Sequence, residues 1–270
     1  MILNNKKRRV KICCYLLILV FLICCKTFCQ DSLNTINIGY FIKLKSKVLE
    51  EDRTILIYLP DSYKEAQKSY PVLYLLDAET NFKYTCGIVD LLSRSSIIPE
   101  MIIVGLPNKD RIRDLTPTYD KKFKIGGGAE NFLNFLKEEL IPFIDQNYKT
   151  QSFRILNGHS IGGLFTMYTF TSDTLLFNSY IITSPSMYWD DKIMLPKIEN
   201  FLQSSPLLQK KLYITLANEP EFMNVKETIE IFNKNAPKGL NWKFKQDTTE
   251  THEISPLKST YDGLRFIYLK

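Results

Sequence analysis

The chain has 270 residues, 45% of them hydrophobic and 24% charged, with a formal charge of +6, two histidines and six cysteines. Six of its basic residues and none of its acidic ones fall in the first 29 positions, so residues 30–270 are balanced and carry no electrostatic footprint for nucleic acid. Five of the six cysteines lie in that same stretch. Cys86 is left alone, which excludes an internal disulfide and a cysteine–histidine zinc site from residues 30–270.

In chain order, "NNKKRRVK" gives a basic start and "ICCYLLILVFLICC" an apolar stretch too short for a comfortable membrane span. Thr27 and Cys29 then stand three residues and one residue before a cleavage point that would leave Gln30 first. Residues 1–29 therefore read as a signal peptide, with an uncleaved anchor as the other reading. The expectation is an exported protein, periplasmic or secreted, with no stable membrane insertion after cleavage and one domain over 30–270.

"NIGYFIKLKS" and "RTILIYLP" read as antiparallel opening strands from their partial alternation of polar and apolar residues. "PVLYLL", "MIIVGL", "FRILNG", "SYIITS" and "KLYITLA" are continuous apolar runs, as expected of strands covered on both faces. Helical patterns separate them. In "GGGAENFLNFLKEELIPFIDQNY" the residues Phe132, Phe135, Leu136, Leu140 and Ile144 recur at three- and four-residue steps, and Pro142 kinks or divides the element. "NVKETIEIFNKN" is another helix, and "LNWKFKQ" reads as the last strand. Alternating strands and helices predict an α/β fold with a mostly parallel sheet between helices, its reactive groups beyond the carboxyl ends of the strands.

"LNGHSIGGL" sits at such an end: "RIL" is strand, "NGHSIGG" a sharp turn and "LFTMYTF" the start of a helix. Gly158 and Gly162 let backbone pass where a Cβ would collide, so Ser160 is read as a nucleophile on a strand-to-helix elbow, the N–H of Ile161 facing a developing oxyanion. A serine hydroxyl needs a base. His159 adjoins the serine and is expected to point away from it, which leaves His252. The acid that orients the imidazole is sought between them in sequence: Glu219, just past "KLYITLA", is preferred to Glu221, with Asp190 and Asp191 as weaker candidates. A second oxyanion donor is expected from the N–H of Ala78 or Glu79, after the first buried strand.

Beyond the serine, "YPVLYLLDAETNF", "IIVGLPNKDRIRDLTPT", "GGGAENFLNFLKEELIPFID", "GHSIGG", "SPSMYW" and "THEISPL…GLRFIY" resemble, in order and spacing, an esterase family of α/β-hydrolases. That family includes enterochelin-type siderophore esterases, feruloyl and acetyl-xylan esterases, esterase D and the mycolyltransferases. The resemblance covers nearly all of 35–270. It implies an α/β-hydrolase fold with Ser160 as nucleophile, His252 as base and an acid near Glu219. It also implies that Arg113 and Trp189 line the substrate cleft. From the residues alone, Arg113 reads equally as an ion-pair partner of Asp110 or Asp114, and Trp189 equally as a packing residue. Ala78 departs from the family pattern, where glycine is common. The expected activity is hydrolysis of carboxylic esters through an acyl-enzyme, without metal or organic cofactor. Its substrate is a siderophore ester or an acylated polysaccharide. Acyl transfer and a non-catalytic binding module on the same fold are the alternatives. The triple glycine at 126–128 lacks a phosphate-loop ending and reads as a lead into a helix, and Cys86 as a small buried hydrophobe.

Overall fold

Strands buried on both faces are written as unbroken apolar runs, and four of these form the middle of the sheet. The computed structural model describes residues 37–219 and 221–269, so the expected signal peptide lies outside the described residues. In chain order the elements are β1 (Tyr40–Ser46), β2 (Glu51–Tyr58), β3 (Tyr70–Leu76), α1 (Ala78–Arg94), β4 (Ile102–Leu106) and α2 (Arg111–Leu115). A short ribbon, β5 (Tyr119–Asp120) with β6 (Ile125–Gly126), precedes α3 (Ala129–Phe135) and α4 (Ile141–Asn147). Then follow β7 (Thr150–His159), α5 (Ile161–Ser172), β8 (Ser179–Thr183), α6 (Met194–Ser204), β9 (Lys211–Leu216), α7 (Val225–Asn235), β10 (Asn241–Gln246) and α8 (Ser255–Tyr268).

The eight-stranded sheet has the order β1-β2-β4-β3-β7-β8-β9-β10. The pairs β1–β2 and β2–β4 are antiparallel and all later pairs parallel. β3, β4 and β8 are buried at every position. Their period-two pleat supplies two cores. Val72, Tyr74 and Leu76 of β3 face a cluster with Phe132, Phe165 and Phe170, while Leu73 and Leu75 face another with Val89, Leu264 and Ile267. The residues from Ile38 onward form one compact unit.

The helix that carries Pro142 is divided as expected, and the physical reason is visible. A proline cannot donate to the carbonyl four residues back and its ring crowds that group. The chain between α3 and α4 accordingly widens into a π turn over Leu136–Leu140. Cys86 is buried and free, and burial pushes its thiol up to about 12. Among the described residues, no helix is long and apolar enough to cross a membrane, and no group of three or more His, Cys, Asp or Glu side chains is placed to hold a metal ion.

Candidate active site

The turn between β7 and α5 holds Ser160 at φ 58° and ψ −117°, a conformation that a residue with a side chain rarely adopts. Its neighbours enforce it. Ser160 N–H donates to Thr183 O on β8 at 2.9 Å, and its carbonyl accepts from Leu164 N–H at 2.9 Å and Ser186 N–H at 3.1 Å. A Cβ at Gly158 would overlap the Gly162 carbonyl and the Thr166 hydroxyl, and one at Gly162 would sit 2.9 Å from Asp77 Oδ2. The two glycines are therefore required by close approach, and the serine is left at the start of α5. The hydroxyl of Ser160 meets Ser186 Oγ at 3.3 Å.

His252 lies in the turn before α8. Its Nδ1 is 2.7 Å from Oε1 of Glu219, a carboxylate only 4% exposed. The ring of His252 packs on that of His159, with centroids 4.3 Å apart and planes inclined by 49°. The side chain of His159, at the end of β7, thus lies against the second histidine, a contact that the expectation of its pointing away from Ser160 did not include. Burial pushes the His159 pKa down to about 4, and the neighbouring His252 acts in the same direction. Ser160 directly follows His159, whose ring packs on that of His252, and among the described residues Ser160 and His252 form no direct hydrogen bond.

Of the acids considered, Glu219 alone meets the imidazole. Glu221 is 87% exposed and pairs with Lys226 at 3.2 Å. Asp190 and Asp191 stand in a left-handed turn after Trp189, at φ 43° and 49°. The reason is local: β9 ends at Leu216, and Glu219 is still close to the sheet when the chain turns outward at the helical turn Glu221–Met223.

The second helix terminus is that of α1. Asp77 adopts the left-handed region (φ 53°, ψ 39°), so the helix starts at once with Ala78 and Glu79 in its first turn. Thr80 N–H and Asn81 N–H return to the Asp77 carbonyl at 3.2 and 3.1 Å. Helix geometry leaves the N–H groups of Ala78 and Glu79 without an intrahelical acceptor, and the same holds for Ile161 at the start of α5. The carboxylate of Asp77 accepts from Arg111 Nε at 2.6 Å, Arg111 Nη2 at 2.9 Å and Asn108 Nδ2 at 2.7 Å. Arg111 Nη2 also reaches the His159 carbonyl at 3.1 Å, tying the start of α1 to the elbow.

Arg113 takes the ion-pair reading. Its Nε donates to Asp114 at 2.7 Å and its Nη2 to Glu51 at 2.9 Å, in an ion-pair cluster with Arg53. Trp189 is 6% exposed and packs: its Nε1 donates to Thr118 O at 3.1 Å, and a Cβ at Gly126 would sit 2.7 Å from its ring. It holds the base of the β5–β6 ribbon. Asp77, Arg111, Ser186 and the His159 contact were not assigned from sequence. Arg111 and Arg113 lie two residues apart on one short helix and so face opposite ways. Nothing in "DRIRD" tells which of them turns toward the elbow.

A parallel sheet with two antiparallel leading strands, a strained serine between strand and helix, and a carboxylate–imidazole pair arriving later in the chain define an α/β-hydrolase. The family model described as Putative esterase matches residues 46–253, and the chain belongs to that family. It is 31% identical over 189 residues to the ferri-bacillibactin esterase BesA of Bacillus subtilis, covering 62% of this chain and 65% of that protein. It is 30% identical over 165 residues to a siderophore enterobactin esterase of Emericella nidulans, covering 52% and 54% of the two chains. The chain thus matches about half to two thirds of the length of these curated relatives. Among solved structures, the IroE-like serine hydrolase from Shewanella oneidensis superposes with a TM-score of 0.81 at 32% identity, over 85% of this chain and 80% of that one.

Proposed function

We propose that this protein is a serine hydrolase that cleaves the carboxylic ester of a siderophore through an acyl-enzyme. The observation that carries the reading is the buried Glu219 carboxylate on Nδ1 of His252, which turns the Nε2 side of that ring into a base beside the elbow. Ser160 Oγ exchanges its contact with Ser186 for one with His252 and attacks the ester carbonyl as His252 takes its proton. Free N–H groups of Ile161, Ala78 and Glu79 receive the negative charge that forms on the carbonyl oxygen. His252 returns the proton to the departing alcohol, leaving the acyl group on Ser160. Water, deprotonated by His252, then attacks the acyl carbon, and the released carboxylic acid leaves Ser160 Oγ reprotonated.

The substrate class draws its support from the names of the relatives, two of which act on siderophores. The basic and apolar character of residues 1–29 supports export to the periplasm or the medium. The test has two arms. A fluorophosphonate probe labels Ser160 in the folded protein, and Ser160→Ala loses labelling together with about 10⁴-fold or more of the kcat/KM on p-nitrophenyl acetate. A ferric catecholate trilactone is then cleaved in preference to methyl ferulate. Absence of labelling removes the hydrolase reading, and preference for the ferulate removes the siderophore.

A further inference from the structure

We propose that His159, the residue before the nucleophile, is a positioning residue whose flat uncharged ring holds the His252 imidazole in the plane from which it serves Ser160. The inference rests on the roles proposed above for Ser160 and His252. Among the described residues, the His252 ring is hydrogen-bonded along one edge, to Glu219 at 2.7 Å, while Ser160 Oγ is engaged with Ser186 at 3.3 Å. One hydrogen bond fixes an atom of a ring and leaves the ring free to turn about it. The second restraint is the ring of His159, its centroid 4.3 Å away and its plane inclined by 49°.

His159 is itself held by the backbone on both sides. Its carbonyl accepts from Arg111 Nη2, and the N–H of Ser160 is bonded to Thr183 O. His159 also stands opposite Thr183 in the β7–β8 register. Supporting ring and nucleophile thus share one rigid segment, so the distance between base and hydroxyl is set within a few bonds. A mobile loop could set it less well.

The chemistry requires this ring to be uncharged, because His252 becomes a cation when it takes the serine proton. His252, Asp77, Arg111, Glu219 and Glu253 lie near enough to act on His159 electrostatically. Burial outweighs the three carboxylates and pushes its pKa down to about 4, so the ring is neutral at neutral pH. A neutral aromatic face against the imidazolium is attractive, whereas a second cation there would be repulsive. The Nε2 atom of His159 is buried without a hydrogen-bond partner, so the ring serves this contact as a surface.

The experiment compares wild type, His159→Ala and His159→Phe on p-nitrophenyl acetate from pH 5 to 9, with active sites counted by fluorophosphonate titration. His159→Ala lowers kcat per titrated site about tenfold to a hundredfold with KM nearly unchanged, as expected when a base is misplaced and binding is not. His159→Phe restores the flat neutral face and recovers kcat to within about threefold of wild type. A His159→Ala enzyme with wild-type kcat per titrated site overturns the proposal, since a ring that merely packs would reduce the titre and the melting temperature alone. So does a His159→Phe enzyme no faster than His159→Ala. Where the alanine variant yields no folded protein, His159→Leu replaces it, and equal rates for leucine and phenylalanine overturn the proposal. Failure of wild type to label would instead remove the hydrolase reading on which the inference rests.

Discussion

Two buried clusters of ionisable groups lie at different places on this sheet, and they are bonded in opposite ways. Around Arg53, which is 3% exposed, nearly every polar atom is used. The guanidinium donates to Asp114 at 2.7 Å and Glu51 at 2.8 Å, and it lies over the Phe132 ring at 5.2 Å. Arg113 and Lys109 complete the shell of the same carboxylates. Around Ser160 the bonding is left incomplete. Among the described residues, Glu219 uses one oxygen while the other is buried without a partner, His159 Nε2 is likewise unpartnered, and the Ser160 hydroxyl meets a serine at 3.3 Å. A saturated cluster has one low-energy arrangement and acts as a fastening. An unsaturated one keeps donors and acceptors available for a reacting group, at some cost in stability. The contrast predicts that substitutions in the first cluster are read in stability and those in the second in rate.

The largest effect tests the second half of that statement. Glu219→Gln is expected to lower kcat by about 10³- to 10⁴-fold, because an amide cannot enforce the tautomer or stabilise the imidazolium that forms on His252. Glu221→Gln, at an exposed glutamate paired with a lysine, is expected to leave kcat within about twofold of wild type, since exposed pairs contribute little. Steady-state rates normalised to titrated sites decide between them. Equal losses for the two variants would break the distinction between a buried orienting acid and a loop charge.

The next effect belongs to the fastening. Arg53→Met removes the buried partner of Asp114 and Glu51, which keep Arg113, and is expected to cost about 2–3 kcal/mol of unfolding free energy, with kcat per titrated site unchanged at a temperature where the protein stays folded. Arg113→Gln, at a side chain 41% exposed, is expected to cost less than about 1 kcal/mol. Urea unfolding measures both. A rate loss in Arg53→Met that persists after normalisation would show that the two clusters are coupled.

The difference in bonding also explains what the sequence could reveal. Ser160 was legible because the glycines at 158 and 162 are a steric requirement written locally, and His252 because only one other histidine exists. The buried strands were legible from runs such as "PVLYLL", whose every residue is covered. The choice of Glu219 over Glu221 was a matter of which residue stays near the strand end, and the structure separates them by burial, 4% against 87% exposed. Orientation was not legible. Whether Arg111 or Arg113 faces the elbow depends on how a five-residue helix is rolled against α5, and the roll is set by Asp77 at one side and by Glu51 and Asp114 at the other. Asp77 and Glu51 are distant in sequence, and Asp114, though legible as a partner of Arg113, does not tell which way Arg111 turns. The direction of the His159 side chain is likewise decided by where the turn carrying His252 arrives, 93 residues later in the chain.

The smallest effect separates the two clusters by pH. The folded-state pKa of Glu51 is lowered to about 2 from an ordinary 4.5: burial opposes the charge, but hydrogen bonds from Arg113, Arg53 and Lys109 outweigh it. Its contribution to stability is therefore complete above pH 4.5 and is lost as the pH falls toward 2. His159, pushed down to about 4 from 6.5 by burial, has the same sign in a higher window. The unfolded chain takes up a proton below pH 6.5 that the folded chain refuses until about pH 4, so stability declines between those values. Unfolding free energy measured from pH 8 to pH 3 is expected to fall through both windows in turn. His159→Phe flattens the slope between pH 6.5 and 4 and leaves the lower slope intact; Glu51→Gln, though less stable throughout, flattens only the slope below 4.5. Slope is the quantity to read, because each substitution also changes packing by a pH-independent amount. A wild-type curve that is level from pH 6.5 to 4 would mean that His159 is protonated as easily in the folded chain as in the unfolded one. The ring beside His252 would then become a cation in mildly acidic solution, and the cluster around Ser160 would lose the neutral support that distinguishes it from the fastening around Arg53.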